Sequence, residues 1–167
     1  VSKIIDALLR LDESRGCNVL RAYEDMWGDI LGLDSICSVC EYQEPLPLND
    51  IAKKLDAEVV YGRTDITIWG YTLIDSLKAI VEMLPDQFQK IYGRSTARAL
   101  IFTGVHTGRS SMVAVRVSNL KPGAVVLQGM EPVDVDPIAV RIAEVENIPL
   151  LTTHFSVDEI TSALSKG

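Results

Sequence analysis

Residues 104–111 read Gly-Val-His-Thr-Gly-Arg-Ser-Ser. The turn follows Ala99–Thr103, an apolar run of the buried-strand type, and precedes a helical stretch from Ser110 to Leu120. In open α/β sheets, ligands bind where a strand's C-terminal end leads into a helix. The free amides of a helix N-terminus favour an anion, and Arg109 adds a fork of donors. Gly104 and Gly108 would let the backbone approach a ligand, while His106, Thr107 and Ser110 offer polar groups. The turn has neither the G-x-G-x-x-G nor the Walker spacing, so it singles out neither a dinucleotide nor a nucleotide. The plain alternative is a Gly-containing connection with a Ser cap.

Other chemistry-bearing residues are sparse. Thr152 and His154, in Leu-Leu-Thr-Thr-His-Phe, end a second short strand and are expected on the same rim, with Gly129 lining a neighbouring turn. His106 and His154 are the only histidines. A general base would need a positioned nucleophile, and a metal would need a third ligand at suitable spacing. Neither is evident, so no catalytic residue, metal or cofactor is assigned. Cys37 and Cys40 form a C-x-x-C with only Cys17 left over, which favours ordinary thiols over zinc or redox chemistry. Glu131, Asp134 and Asp136 lack the spacing of a calcium loop, and Asp136 before Pro137 reads as a helix cap. Trp27 and Trp69 read as packing anchors in a core or a dimer contact.

The elements around these residues fall into two parts. Val1 to Leu33 shows helical spacing interrupted at Gly16, which predicts a helical hairpin. It could be read as a DNA-binding helix-turn-helix. However, Arg21 stands among Glu24, Asp25 and Asp29, a balance that repels phosphate, so a packing role is expected. Residues 34–47 hold neither period and end in Pro45 and Pro47, which predicts a linker closing a first segment, 1–47. From 48 to 167 short strands alternate with helices. The expected strands are 57–61, 66–71, 99–103, 124–127 and 149–152. The expected helices include 73–84, 110–120, 137–146 and one starting at Ser156, with Glu159 completing a capping box. The alternation predicts an α/β fold with a mainly parallel sheet flanked by helices.

Composition narrows the function classes. The 167 residues are 47% hydrophobic and 23% charged, as expected of a globular chain, with a formal charge of −7. No basic block matches a phosphate backbone, so no nucleic acid partner is expected. Arg94, Arg98 and Arg109 are the cations to watch for a local basic site. No apolar run approaches the roughly 20 residues of a spanning helix, so no membrane partner is expected. Three cysteines fit a reducing, cytoplasmic setting.

From Ala99 to Ile160 the chain runs strand, Gly-rich turn with Arg, helix, strand, Gly-x-Glu-Pro turn, helix, Ile-Pro-Leu-Leu-Thr-Thr, helix. This order resembles the DRTGG domain, a relative of the HPr kinase/phosphorylase N-terminal domain. The matching positions are Gly104, Arg109, Ser110, Gly129, Glu131, Pro132, Ile148, Pro149, Leu150, Leu151 and Thr152. Asn49 to Gly62 resembles how such domains begin. The resemblance implies a regulatory or dimerising module without chemistry of its own, found in some cases before phosphotransacetylases. The expectation is therefore a non-catalytic sensor, homodimeric, that binds a small anionic metabolite or nucleotide through Gly104–Ser110, Gly129, Thr152 and His154. A structural interaction module and an accessory domain of an acyl- or phosphoryl-transfer enzyme are the rival readings.

Overall fold

The computed structural model describes residues 37–76, 79 and 91–165. The expected N-terminal hairpin lies outside them. The chain divides into compact units between Ile36 and Cys37, and the second unit is the α/β body.

Among the described residues, six strands form one mixed sheet in the order β1-β3-β4-β5-β6-β2. They are β1 (Cys37–Pro47), β2 (Glu58–Tyr61), β3 (Thr67–Asp75), β4 (Ala99–Thr103), β5 (Ala124–Gln128) and β6 (Leu150–Thr153). The four central strands pair in parallel, and β1 and β2 close the two edges antiparallel. The described helices are α1 (Leu48–Lys54), α2 (Arg109–Val117), α3 (Pro137–Glu146) and α4 (Val157–Ser165). Strands covered on both faces read as unbroken apolar runs. That is why Ala-Leu-Ile-Phe and Ala-Val-Val-Leu announce β4 and β5.

Alternate side chains of these strands enter two cores. Leu100, Val125, Leu127 and Leu150 meet Met112 and Val115 of α2 and Ile142 and Ala143 of α3. Ile101, Val126 and Leu151 meet Leu48, Ile51 and Leu55 around α1 and Ile160 and Leu164 of α4. Two helix starts carry the expected caps. Asp136 Oδ1 accepts from Ile138 N at 2.8 Å. Ser156 and Glu159 exchange the two bonds of a capping box, each at 3.2 Å.

Two segments differ from expectation. The linker placed over 34–47 is, from Cys37 on, the edge strand β1. Its register with β3 breaks between Glu41 and Leu46, which hides the period of two, and its prolines are tolerated because an edge strand needs fewer paired amides. The helix placed from Leu73 is also corrected. Leu73, Ile74 and Asp75 belong to β3, where they pair with β4, and positions 77, 78 and 80–90 lie outside the described residues. Only residues 62–66 carry the chain from β2, at one edge, to β3, four strands away.

β1 is held by more than its ladder. Arg98, fully buried, precedes β4. Its guanidinium donates to Ser95 O at 2.8 Å, Thr72 Oγ1 at 3.2 Å, and the carbonyls of Cys40 and Tyr71 at 3.4 Å. It also pairs with the Glu41 carboxylate. The same Glu41 oxygen accepts from Arg94 N at 3.2 Å. Gly93, at φ 55°, makes room for it, since a Cβ there would overlap that oxygen. One guanidinium thus joins β1, β3 and the approach to β4.

Two tyrosines give the unit an alkaline limit. Burial pushes the Tyr42 phenol up to about 12, with the Cys40 thiol adding to the shift. Burial pushes Tyr92 up to about 12 as well, against a smaller opposing effect of Ser118. In an unfolded chain a phenol titrates near ~10. The folded protein therefore holds protons that the unfolded chain releases. The contribution is complete below about pH 10 and is lost as the pH rises through about 12. The melting temperature is expected to fall steeply across that window, and to fall less steeply in a Tyr42→Phe/Tyr92→Phe protein. Equal slopes in the two proteins would exclude this origin.

Candidate functional site

Parallel pairing brings the ends of β3, β4, β5 and β6 to one rim, with Asp75 opposite Thr103 and Gln128 opposite Thr153. The turn anticipated from sequence lies here. Gly108, at φ 79°, stands at the N-cap of α2, and a Cβ on it would lie 2.5 Å from Leu127 Cδ1. Gly104 and Gly129 also have positive φ, and a Cβ on either would meet nothing within 4 Å. His106, Thr107, Arg109 and Ser110 are exposed.

The loops of this rim bind one another. Gly104 N donates to Gln128 Oε1 at 3.4 Å, and Gln128 Nε2 donates to Phe155 O at 2.9 Å. Gly129 N donates to Thr153 O at 2.7 Å and Asp136 N to Thr107 O at 2.9 Å. Thr107 Oγ1 accepts from Arg109 N at 3.4 Å. Gly104, Thr107, Gly108, Arg109 and Gly129 are thus gathered in one cluster of turns.

Thr152 does not join that surface. It is 2% exposed, one position short of the strand end. Its neighbour Thr153 is equally buried and donates to Leu55 O at 2.7 Å. His154 is exposed, with Nε2 3.7 Å from Asp56 Oδ2, and its ring meets Phe155 edge-on. The four parallel strands also follow one another in sequence order, so the connection never reverses direction between them. Among the described residues, the strand order therefore opens no such crevice at this rim.

The C-x-x-C is settled by its strand. Cys37 packs against the first core and Cys40 against the second, so they face opposite sides of the sheet. Three residues of strand span about 10 Å, beyond the reach of a disulfide.

A cleft of about 340 Å³ lies instead beside the break in β1, lined by Glu41, Tyr42, Gln43, Trp69, Arg94 and Ser95. Trp69 is 44% exposed, so it is no core anchor. From sequence, Arg94 and Arg98 stand out only as cations. The signal for the cleft was Trp69 beside Gly70, where a Cβ would overlap the Cys40 carbonyl oxygen.

No family model matches the chain, and no solved structure matches it. Two relatives do. One, from Methanocaldococcus jannaschii, is named as an uncharacterised HTH-type transcriptional regulator. It is 42% identical over 167 residues, spanning 99% of this chain and 69% of its own length. The other, from Archaeoglobus fulgidus and also named as an uncharacterised HTH-type transcriptional regulator, is 41% identical over 168 residues, spanning 99% and 71%. The chain belongs to this family of regulators.

This membership corrects two sequence expectations. The metabolite-sensing module, with its rivals of interaction module and enzyme accessory, gives way to a regulator of transcription. The exclusion of nucleic acid falls with it. That exclusion rested on the net charge, on the lack of a basic block and on the acidic residues around Arg21. A net charge does not report on a DNA-reading segment, which needs only a handful of local cations. Among the described residues no helix is long and apolar enough to cross a membrane, and no three His, Cys, Asp or Glu side chains gather to hold a metal.

Proposed function

We propose that this chain acts in the DNA-dependent control of transcription, as part of a cytoplasmic helix-turn-helix regulator. The observation that carries the reading is 41–42% identity, across 99% of the chain, to two proteins named for that role. In this proposal the α/β body does not read bases. Its acidic side chains outnumber its basic ones, and a phosphate backbone is met by Lys and Arg. About three-tenths of each relative lies outside the matched stretch, and the DNA-reading helices are placed there. The body is also taken to be of the DRTGG type. The succession β4, α2, β5, α3, β6, α4 supports that reading.

The test is genomic. The regulator, as encoded, is mixed with sheared DNA of its own source, and bound fragments are sequenced at several salt concentrations. The expected result is a small set of enriched sites whose binding weakens linearly in log–log terms as salt rises. Uniform recovery of all fragments would remove the proposal.

A further inference from the structure

The cleft beside β1 exists because the β1–β3 ladder opens. Glu41 stands opposite Gly70, yet Leu46 stands opposite Ile68. Residues 42–45 therefore bow away where Trp69 would have had its partner. Trp69 N turns to Ala97 O on the other side, at 2.7 Å. The indole is left as an open aromatic wall.

Among the described residues that line the cleft, the free charge is the single cation of Arg94. The Glu41 carboxylate is taken by Arg98 and by the Arg94 amide. The exposed Arg94 guanidinium has no partner of its own among the described residues. Tyr42 lines the same cleft, and its buried hydroxyl has no hydrogen-bond partner among the described residues either. Trp and Arg are the side chains most enriched among anchors of protein interfaces. An exposed aromatic wall beside an unpaired guanidinium fits an apolar side chain and a carboxylate presented together.

We propose that this cleft docks an extended protein segment that lays an apolar side chain on Trp69 and brings a carboxylate to Arg94. A protein segment is favoured over a nucleic acid strand because one free cation among the described lining residues, with Glu44 exposed on the bowed segment, suits one carboxylate and opposes a run of phosphates. The inference is independent of where the regulator reads DNA.

The probe is a short capped peptide alternating aspartate and leucine, titrated into the ¹⁵N-labelled regulator. The Trp69 indole N–H signal is identified by its loss in Trp69→Phe. The peptide is expected to shift that signal and the Gln43 side-chain amide. Arg94→Gln, an exposed substitution that leaves the fold intact, is expected to weaken binding at least about tenfold, the scale of one lost charge-assisted contact. A lysine–leucine peptide should leave both signals in place. No shift at millimolar peptide, equal binding by Arg94→Gln, or tighter binding of oligothymidylate at the same signals would each overturn the proposal.

Discussion

Arg98→Met is expected to lower the unfolding free energy by about 3–5 kcal/mol, the usual cost of removing one member of a buried ion pair. The guanidinium is fully buried, and the Glu41 side chain it meets is 14% exposed. The methionine would fill much of the volume but leave the Glu41 carboxylate without its counter-charge, held by the Arg94 amide, with the Ser95 carbonyl and the Thr72 hydroxyl also losing a donor. A double change, Arg98→Met with Glu41→Leu, removes the stranded charge and is expected to regain much of the loss, because apolar replacement of a whole buried pair is often neutral. Urea unfolding of the single and double variants measures both. A single-variant loss under about 1 kcal/mol, the scale of an exposed pair, would show that the interaction is as weak as one on the surface.

The second large effect falls on Gly70→Ala. The added methyl would overlap the Cys40 carbonyl oxygen and come within 3.3 Å of Glu41 Cα. Both belong to the backbone of β1, so no side-chain rotation relieves the contact, and β1 must move off β3. Overpacking costs about 1–3 kcal/mol in an ordinary core and more where backbone must shift. A loss of at least about 3 kcal/mol is therefore expected. Gly104→Ala is the control. Its φ of 68° is strained for alanine, but its Cβ meets nothing, so only the left-handed penalty of about 1–2 kcal/mol applies. Equal losses in the two variants would mean that backbone conformation, and not the close approach of β1, makes Gly70 necessary.

These two sites mark where the sequence stops being readable. β4, β5 and β6 were legible because burial on both faces leaves apolar runs that nothing else explains. Asp136 and the Ser156/Glu159 pair were legible because capping is a local interaction. β1 was not legible. Its bowed segment interrupts the alternation, and Pro45 and Pro47 look like the end of a linker until a neighbour shows them to be at a sheet edge. The end of β3 was hidden because Leu73, Leu77, Ile80, Val81 and Leu84 are spaced as on a helix, while pairing with β4 claims Leu73 for the sheet. Arg98 looks like a solvated residue flanking a strand, because its partner is 57 positions away. The rim turn lies at the strand ends, where the strand-turn-helix order of the sequence puts it. Glycines there satisfy the positive φ of connections whose hydrogen bonds are spent on each other. Membership among transcriptional regulators left no mark on a charge summed over the whole chain.

The short passage from β2 to β3 sets the width of the whole sheet. Four strand spacings of about 4.8 Å separate the two strands, roughly 19 Å in all. From Tyr61 to Thr67 the chain takes six steps, which extend to about 20–22 Å at most. The passage therefore has little length to spare for the width it crosses, and Leu48 N and Asn49 N clip it in place through Ile66 O and Thr64 O. It works as a gauge. An additional strand between β3 and β6 would ask for about 5 Å more than this length of chain can span, so the sheet can grow only outward, beyond β1 or β2.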